Sequence, residues 1–118
     1  MIKDFRDLIV WQRSMDLVVL VHKATCRFPN TELYGLTAQI KRAVISVPSN
    51  IAEGHGRIGK AEYKRFLSIA HGSIMEVLTQ TLIAQRLGYW DDDTAGNVIT
   101  SIEDVSRLIR NLIGKLSK

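Results

Sequence analysis

Gln39-Ile40-Lys41-Arg42-Ala43-Val44-Ile45-Ser46-Val47-Pro48-Ser49-Asn50-Ile51-Ala52-Glu53-Gly54-His55-Gly56-Arg57 reads as helix, yet it has a proline at its centre. Gln39, Ser46, Asn50, Glu53 and Arg57 recur at steps of seven, four, three and four, so they share one face. If that face points inward, a satisfied polar network there fixes which helices pair and in what register. Pro48 removes one helical N–H and crowds the carbonyl of Val44, so a kink is expected rather than two separate helices. Ser46, Ser49 or Asn50 is placed to satisfy the freed carbonyl. The glycine-punctuated Gly54-His55-Gly56-Arg57-Ile58-Gly59 then makes a turn.

Working outward, the second helix starts between Leu33 and Thr37 and ends at Gly54. Before it, Phe5 to Arg27 form a first helix with Asp4 as N-cap, stopped by Pro29. Its core stripe is read as Leu8, Trp11, Met15, Val18 and His22. Val10, Leu17, Leu20, Val21 and Ala24 make it apolar on a second side, which implies a second partner and self-association. The third helix spans Lys60 to Leu87, with Gly59 as N-cap and Glu62 in its first turn. Its inward face is Phe66, Ile69 or Ala70, Ser73, Val77, Gln80, Ile83 or Ala84, and Leu87. Gly72 is tolerated where two helices approach closely.

Gly88 ends that helix. Asp91-Asp92-Asp93 are caps and dipole partners of a fourth, whose stripe is Ile99, Ile102, Val105, Ile109, Leu112 and Leu116. No alternating strand pattern occurs. The expected fold is all-α, an up-down-up-down antiparallel four-helix bundle occupying residues 1–118 as a single domain. Pairing the second and third helices about the turn opposes Gln39 to Glu76, Arg42 to Ser73, Ala43 to Gly72 and Asn50 to Arg65. Gln39, Ser46, Asn50, Glu53, Ser73 and Glu76 are therefore assigned to a structural polar network.

The formal net charge is +4. Lys41, Arg42, Arg57, Lys60, Lys64 and Arg65, set against Glu53 and Glu62, carry the whole excess. These six cations are the candidate phosphate contacts for RNA or DNA, and a ring of identical subunits would multiply them. The single cysteine, Cys26, excludes an internal disulfide and reads as a small core residue in a reducing compartment. No run of apolar residues is long enough for a membrane span, and no signal pattern is present, so a cytoplasmic chain is expected.

Enzyme chemistry is not expected. His22, His55 and His71 lie on separate elements without metal-ligand spacing, and no Glu-x-x-His pair occurs. Gly54-x-Gly56-x-x-Gly59 follows a helix rather than a strand, which rules out a dinucleotide loop. No catalytic residue, metal, cofactor or small-molecule substrate is assigned. The competing class is a protein-interaction scaffold whose two-sided first helix serves a different protein.

Phe5-x-x-Leu8-x-Val10-Trp11-Gln12, Tyr34-Gly35-Leu36, Gln39-Ile40-Lys41-Arg42-Ala43, the Ser46 to Gly54 run, Phe66-Leu67-x-Ile69-Ala70-x-Gly72-Ser73 and Glu76 occur in this order. Together they resemble the bacterial four-helix-bundle proteins encoded in 23S ribosomal RNA intervening sequences. The resemblance covers nearly the whole chain. It implies an up-down bundle assembling into a ring, a homopentamer, with no known enzymatic activity. The family is distantly similar to the accessory proteins of diversity-generating retroelements, basic pentameric bundles that bind nucleic acid and a reverse transcriptase. That likeness implies a role as an accessory subunit.

Overall fold

The computed structural model describes residues 4–118. Four helices follow in order: α1 (Ile9–Ala24), α2 (Leu36–His55), α3 (Lys60–Arg86) and α4 (Asp92–Leu116). Among the described residues there is no strand. Each helix packs against its two sequence neighbours, and α4 returns to α1, which closes an up-down-up-down bundle about 44 Å long. α3 is long and apolar enough by composition to cross a membrane. Here it turns Phe66, Leu67, Ala70, Ile74 and Val77 to the bundle interior.

The interior is a file of aliphatic side chains at helical spacing. Leu17 and Val21 of α1, Ile40, Val44, Val47 and Ile51 of α2, Leu67, Ile74 and Val77 of α3, and Ile102, Val105 and Ile109 of α4 are fully buried. The α1 core stripe therefore runs through Val10, Leu17 and Val21, with Ser14 buried between them. Met15, expected in the core, is 39% exposed. The wholly aliphatic Val10–Leu17–Val21 line buries more apolar surface than the competing stripe, which ends on a histidine. On α3, the open choices resolve to Ala70 and Ala84, while Ile69, Ile83 and Leu87 face outward.

α2 continues through Pro48 as one helix, and the proline itself is buried. Ser46 Oγ donates to the Ala43 carbonyl, Ser49 Oγ to Ile45 and Asn50 Nδ2 to Ser46. These bonds flank the Val44 carbonyl rather than reach it. They also account for the polar residues expected to form an interhelical network. Gln39, Glu53 and Glu76 are exposed, and Ser46, Asn50 and Ser73 are half-buried. No side-chain hydrogen bond joins α2 to α3 among the described residues; Glu76 accepts from Gln80 on its own helix. Short hydroxyl and amide side chains find backbone carbonyls one turn back more readily than partners across a seam. The α2–α3 seam is apolar.

The close approach of α2 and α3 lies at Gly54, not at Gly72. A Cβ on Gly54 would stand 2.7 Å from Phe66 Cβ and 3.3 Å from Tyr63 Cδ1, whereas one on Gly72 would meet nothing within 4 Å. The pairing is thus shifted by a few residues from the sequence expectation, and Ala43 does not oppose Gly72 in contact. The turn beyond Gly54 is tight, and Gly59 has φ +91° as it enters α3, a conformation natural to glycine.

The opposite end is closed by aromatic residues. Trp90 is 1% exposed, and its indole Nε1 donates to the Ala24 carbonyl at 2.8 Å. Phe28 packs on both Trp90 and Tyr89, with centroids 5.0 and 5.4 Å away. Glu32 accepts from the Tyr89 hydroxyl and from the Leu36 N–H, so one carboxylate caps α2 and pins the α3–α4 connection. Asp91 caps α4 by accepting from Thr94 N–H, as expected. Asp4 accepts from Arg6 N–H and caps a 3-10 turn, Phe5–Asp7, which precedes α1. Cys26 is exposed, contrary to expectation: the helix gives way to a 3-10 turn at Thr25–Arg27, which buries Thr25 instead.

These packing differences separate two glycines that look alike in sequence. In urea denaturation, Gly54→Ala is expected to lower stability by about 1–3 kcal/mol through overpacking against Phe66. Gly72→Ala is expected to raise it by up to about 1 kcal/mol, since it adds helix propensity without a clash.

Candidate nucleic-acid interface

The six cations singled out in the sequence fall into two groups. Lys41 and Arg42 lie in the first half of α2, and Arg57 lies beyond its end. α2 ends at His55, so about 20 Å of helix separates Arg42 from the turn that holds Arg57. Lys41 is half-buried beside the α1–α2 connection, in a shallow recess with Thr37, Thr25 and Cys26. Its charge bears on His22. That imidazole has Nε2 buried without a hydrogen-bond partner, and its pKa is lowered first by burial and then by Lys41.

Arg57, Lys60, Lys64 and Arg65 do come together, around the α2–α3 turn. The Arg57 guanidinium is 2.8 Å from Glu53, and that of Arg65 is 2.8 Å from Glu62. Both also lie over the Phe66 ring, 4.9 and 4.7 Å from its centroid. A guanidinium over an aromatic face is held by the ring quadrupole. The Glu62 carboxyl sits below its ordinary range because Arg65 bonds it, and Arg65 is raised correspondingly. Lys60 and Lys64 form no ion pair among the described residues; Lys60 is exposed and Lys64 half-buried.

Antiparallel topology brings further cations to the same end. The start of α1, the end of α2, the start of α3 and the end of α4 lie together there. Arg110 and Lys115 of α4, with Lys118 just beyond it, line a groove of about 720 Å³ with Asp7, Leu8, Ile9 and Val10. Arg6 sits nearby, chelated by Asp4 at 2.8 Å. Eight cations, Arg6, Arg57, Lys60, Lys64, Arg65, Arg110, Lys115 and Lys118, thus face four acids, Asp4, Asp7, Glu53 and Glu62. The excess equals the formal net charge of the chain, +4. The far end carries Glu32 and Asp91–Asp93 against Lys23, Arg27, Lys41 and Arg86, which balance. In the sequence Lys115 and Lys118 read only as cations suited to a helix C-terminus; antiparallel return is what brings that terminus to the end of the bundle that holds the α2–α3 turn.

The histidines do not converge. His71 Nε2 is 2.9 Å from Ser106 Oγ, a bond between α3 and α4. His55 stacks edge-on to Tyr63 with centroids 5.7 Å apart. Among the described residues no three His, Cys, Asp or Glu side chains gather as a metal site.

His22 gives a pH test of this electrostatic picture. Its native pKa lies below the unfolded value, so the unfolded chain takes up the proton first. Stability is complete above the unfolded pKa and falls as pH drops from about 7 toward 5. Denaturation of His22→Leu over that range is expected to show a flatter pH dependence than the parent.

A family model described as 23S rRNA-intervening sequence protein matches residues 6–111. The fold is shared with a crystal structure from Bacteroides thetaiotaomicron VPI-5482, described as a protein with unknown function from the S23 ribosomal protein family. The two chains are 18% identical with a TM-score of 0.80, over 89% of this chain and 98% of that one. No curated protein matches.

Proposed function

This chain belongs to the 23S rRNA-intervening sequence protein family, and from that premise we propose a non-enzymatic, cytoplasmic homo-oligomer that presents its basic end to RNA or DNA. The observation carrying this reading is the charge distribution. An excess equal to the full +4 gathers at one end of a rod 44 Å long, where several subunits side by side would form one continuous positive surface. Such a surface binds phosphates with strong salt dependence and little sequence preference. Lys60 and Lys64 act as the primary phosphate contacts; Lys41 and Arg42 lie outside the interface. The exposed, unpaired Cys26 is consistent with a reducing compartment.

Self-association is supported by two apolar faces. On α1, Ile9, Met15 and Val19 are 39–58% exposed; on α3, Ile69, Met75, Leu82, Ile83 and Leu87 are 39–55% exposed. α1 and α3 are diagonal in the bundle, so these faces point in opposite directions. A closed ring requires two different faces on each subunit, each complementary to the other. Met15 and Ile45 flank a groove with Trp11, Val18 and Pro48, shaped to receive a ridge from the next copy. The subunit number follows the resemblance, a pentamer. An accessory-subunit role, such as beside a reverse transcriptase, is the alternative if the basic end is idle.

Fluorescence anisotropy with generic RNA and DNA at two salt concentrations tests the interface. Changing Lys60 and Lys64 together to glutamine is expected to weaken binding to all sequences alike and to reduce the slope of log affinity against log salt by about two. The pair Lys41→Gln and Arg42→Gln should change little. No binding at low salt would leave the scaffold reading. Light scattering tests assembly: the parent is expected to be oligomeric at micromolar concentration, while Met15→Glu and Leu82→Glu each give smaller species.

A further inference from the structure

Ile58 stands at the tip of the α2–α3 turn and is 97% exposed, more than any other large hydrophobic residue described. It takes no part in the core. Cations bracket it in sequence, Arg57 before and Lys60 after, with Gly56 and Gly59 on either side. The Arg57 guanidinium is restrained by Glu53 and by the Phe66 ring, so the charge beside the tip has a set position. Ile58 thus stands out in water between a restrained guanidinium and an exposed ammonium, with its apolar surface uncovered.

We propose that Ile58 is an apolar wedge that enters a base step of a double-stranded nucleic acid while the flanking cations hold the phosphates on either side. The proposal rests on the basic end being a nucleic-acid interface and specifies the ligand class as duplex rather than single strand. Aliphatic wedges partly unstack neighbouring base pairs, and the phosphates that border the groove lie within reach of cations beside the wedge. Single strands are held instead by aromatic platforms on which bases stack. At this end of the bundle the aromatic residues are otherwise engaged. Phe66 is buried under Arg57 and Arg65, Tyr63 packs on Gly54 and His55, and Phe5 meets Trp11 edge-on at 5.2 Å. An anionic membrane would also attract the charges, but a single isoleucine offers no apolar face to bury in it.

The test uses the full chain, a short duplex, either of its strands alone, and phosphatidylserine vesicles. The duplex carries 2-aminopurine as a reporter of unstacking. The parent is expected to prefer duplex and to raise 2-aminopurine fluorescence. Ile58→Ala should lose about tenfold in duplex affinity, the scale of one buried aliphatic side chain, with an unchanged salt slope and no fluorescence rise. Because Ile58 makes no core contact, the thermal melt of the variant should match the parent and exclude misfolding. Equal duplex affinity of the two proteins, a preference for the single strand, or an Ile58-dependent affinity for vesicles in place of duplex would each overturn the proposal. Binding that depends on Lys60 and Lys64 but not on Ile58 would refute the wedge alone. Absence of binding to both duplex and strand would refute the interface itself.

Discussion

Two helices approach most readily where one of them lacks a side chain, and for α2 and α3 that place is Gly54. Phe66 and Tyr63 of α3 fill the space its missing Cβ leaves. The approach draws the end of α2 against the start of α3 and leaves only a short link between them. That link has to turn through Gly59 at positive φ. The same contact sets Phe66 beneath Arg57 and Arg65 and leaves Ile58 outside. Packing and surface chemistry at this end thus share one cause.

The rest of the fold keeps polar groups at the edges of an aliphatic interior. Three buried hydroxyls return to carbonyls three or four residues back, Ser14 to Trp11, Thr25 to His22 and Thr81 to Val77, while buried Ser106 meets His71 across the α3–α4 seam. A donor satisfied within its helix imposes little on its neighbour, so the bundle takes its pairing from the shapes of valine, leucine and isoleucine. At the far end, the Trp90 indole and the Glu32 carboxylate add directional bonds between separate elements. One end is locked by aromatic packing and hydrogen bonds, and the other by a glycine contact with cations above it.

This division gives the molecule a direction. Positive charge gathers where α1 and α3 begin, and charges of both signs balance where they end. The flanks carry exposed aliphatic residues on the diagonal helices α1 and α3. A rod with a polar axis and two apolar sides is suited to assembly side by side, which keeps like ends together and builds one charged face from several weak ones. Repulsion among gathered cations opposes such assembly, and a polyanion relieves it. Assembly and ligand binding would on this reading support each other.

The sequence alone determined the helices and their class, because hydrophobic period, glycine, proline and aspartate act within a few residues of where they stand. The span of α3, the start of α2 and the Asp91 cap were all legible for that reason. It did not determine the facing of α1, where two apolar stripes competed, nor the role of the polar residues around Pro48, whose local bonds and cross-helix bonds share the same spacing. The tertiary structure decided between Gly54 and Gly72, exposed Cys26, buried Trp90 and brought Arg110, Lys115 and Lys118 to the turn that begins α3. Each of these depends on which groups from distant parts of the chain come to occupy the same space, and a one-dimensional pattern does not record that.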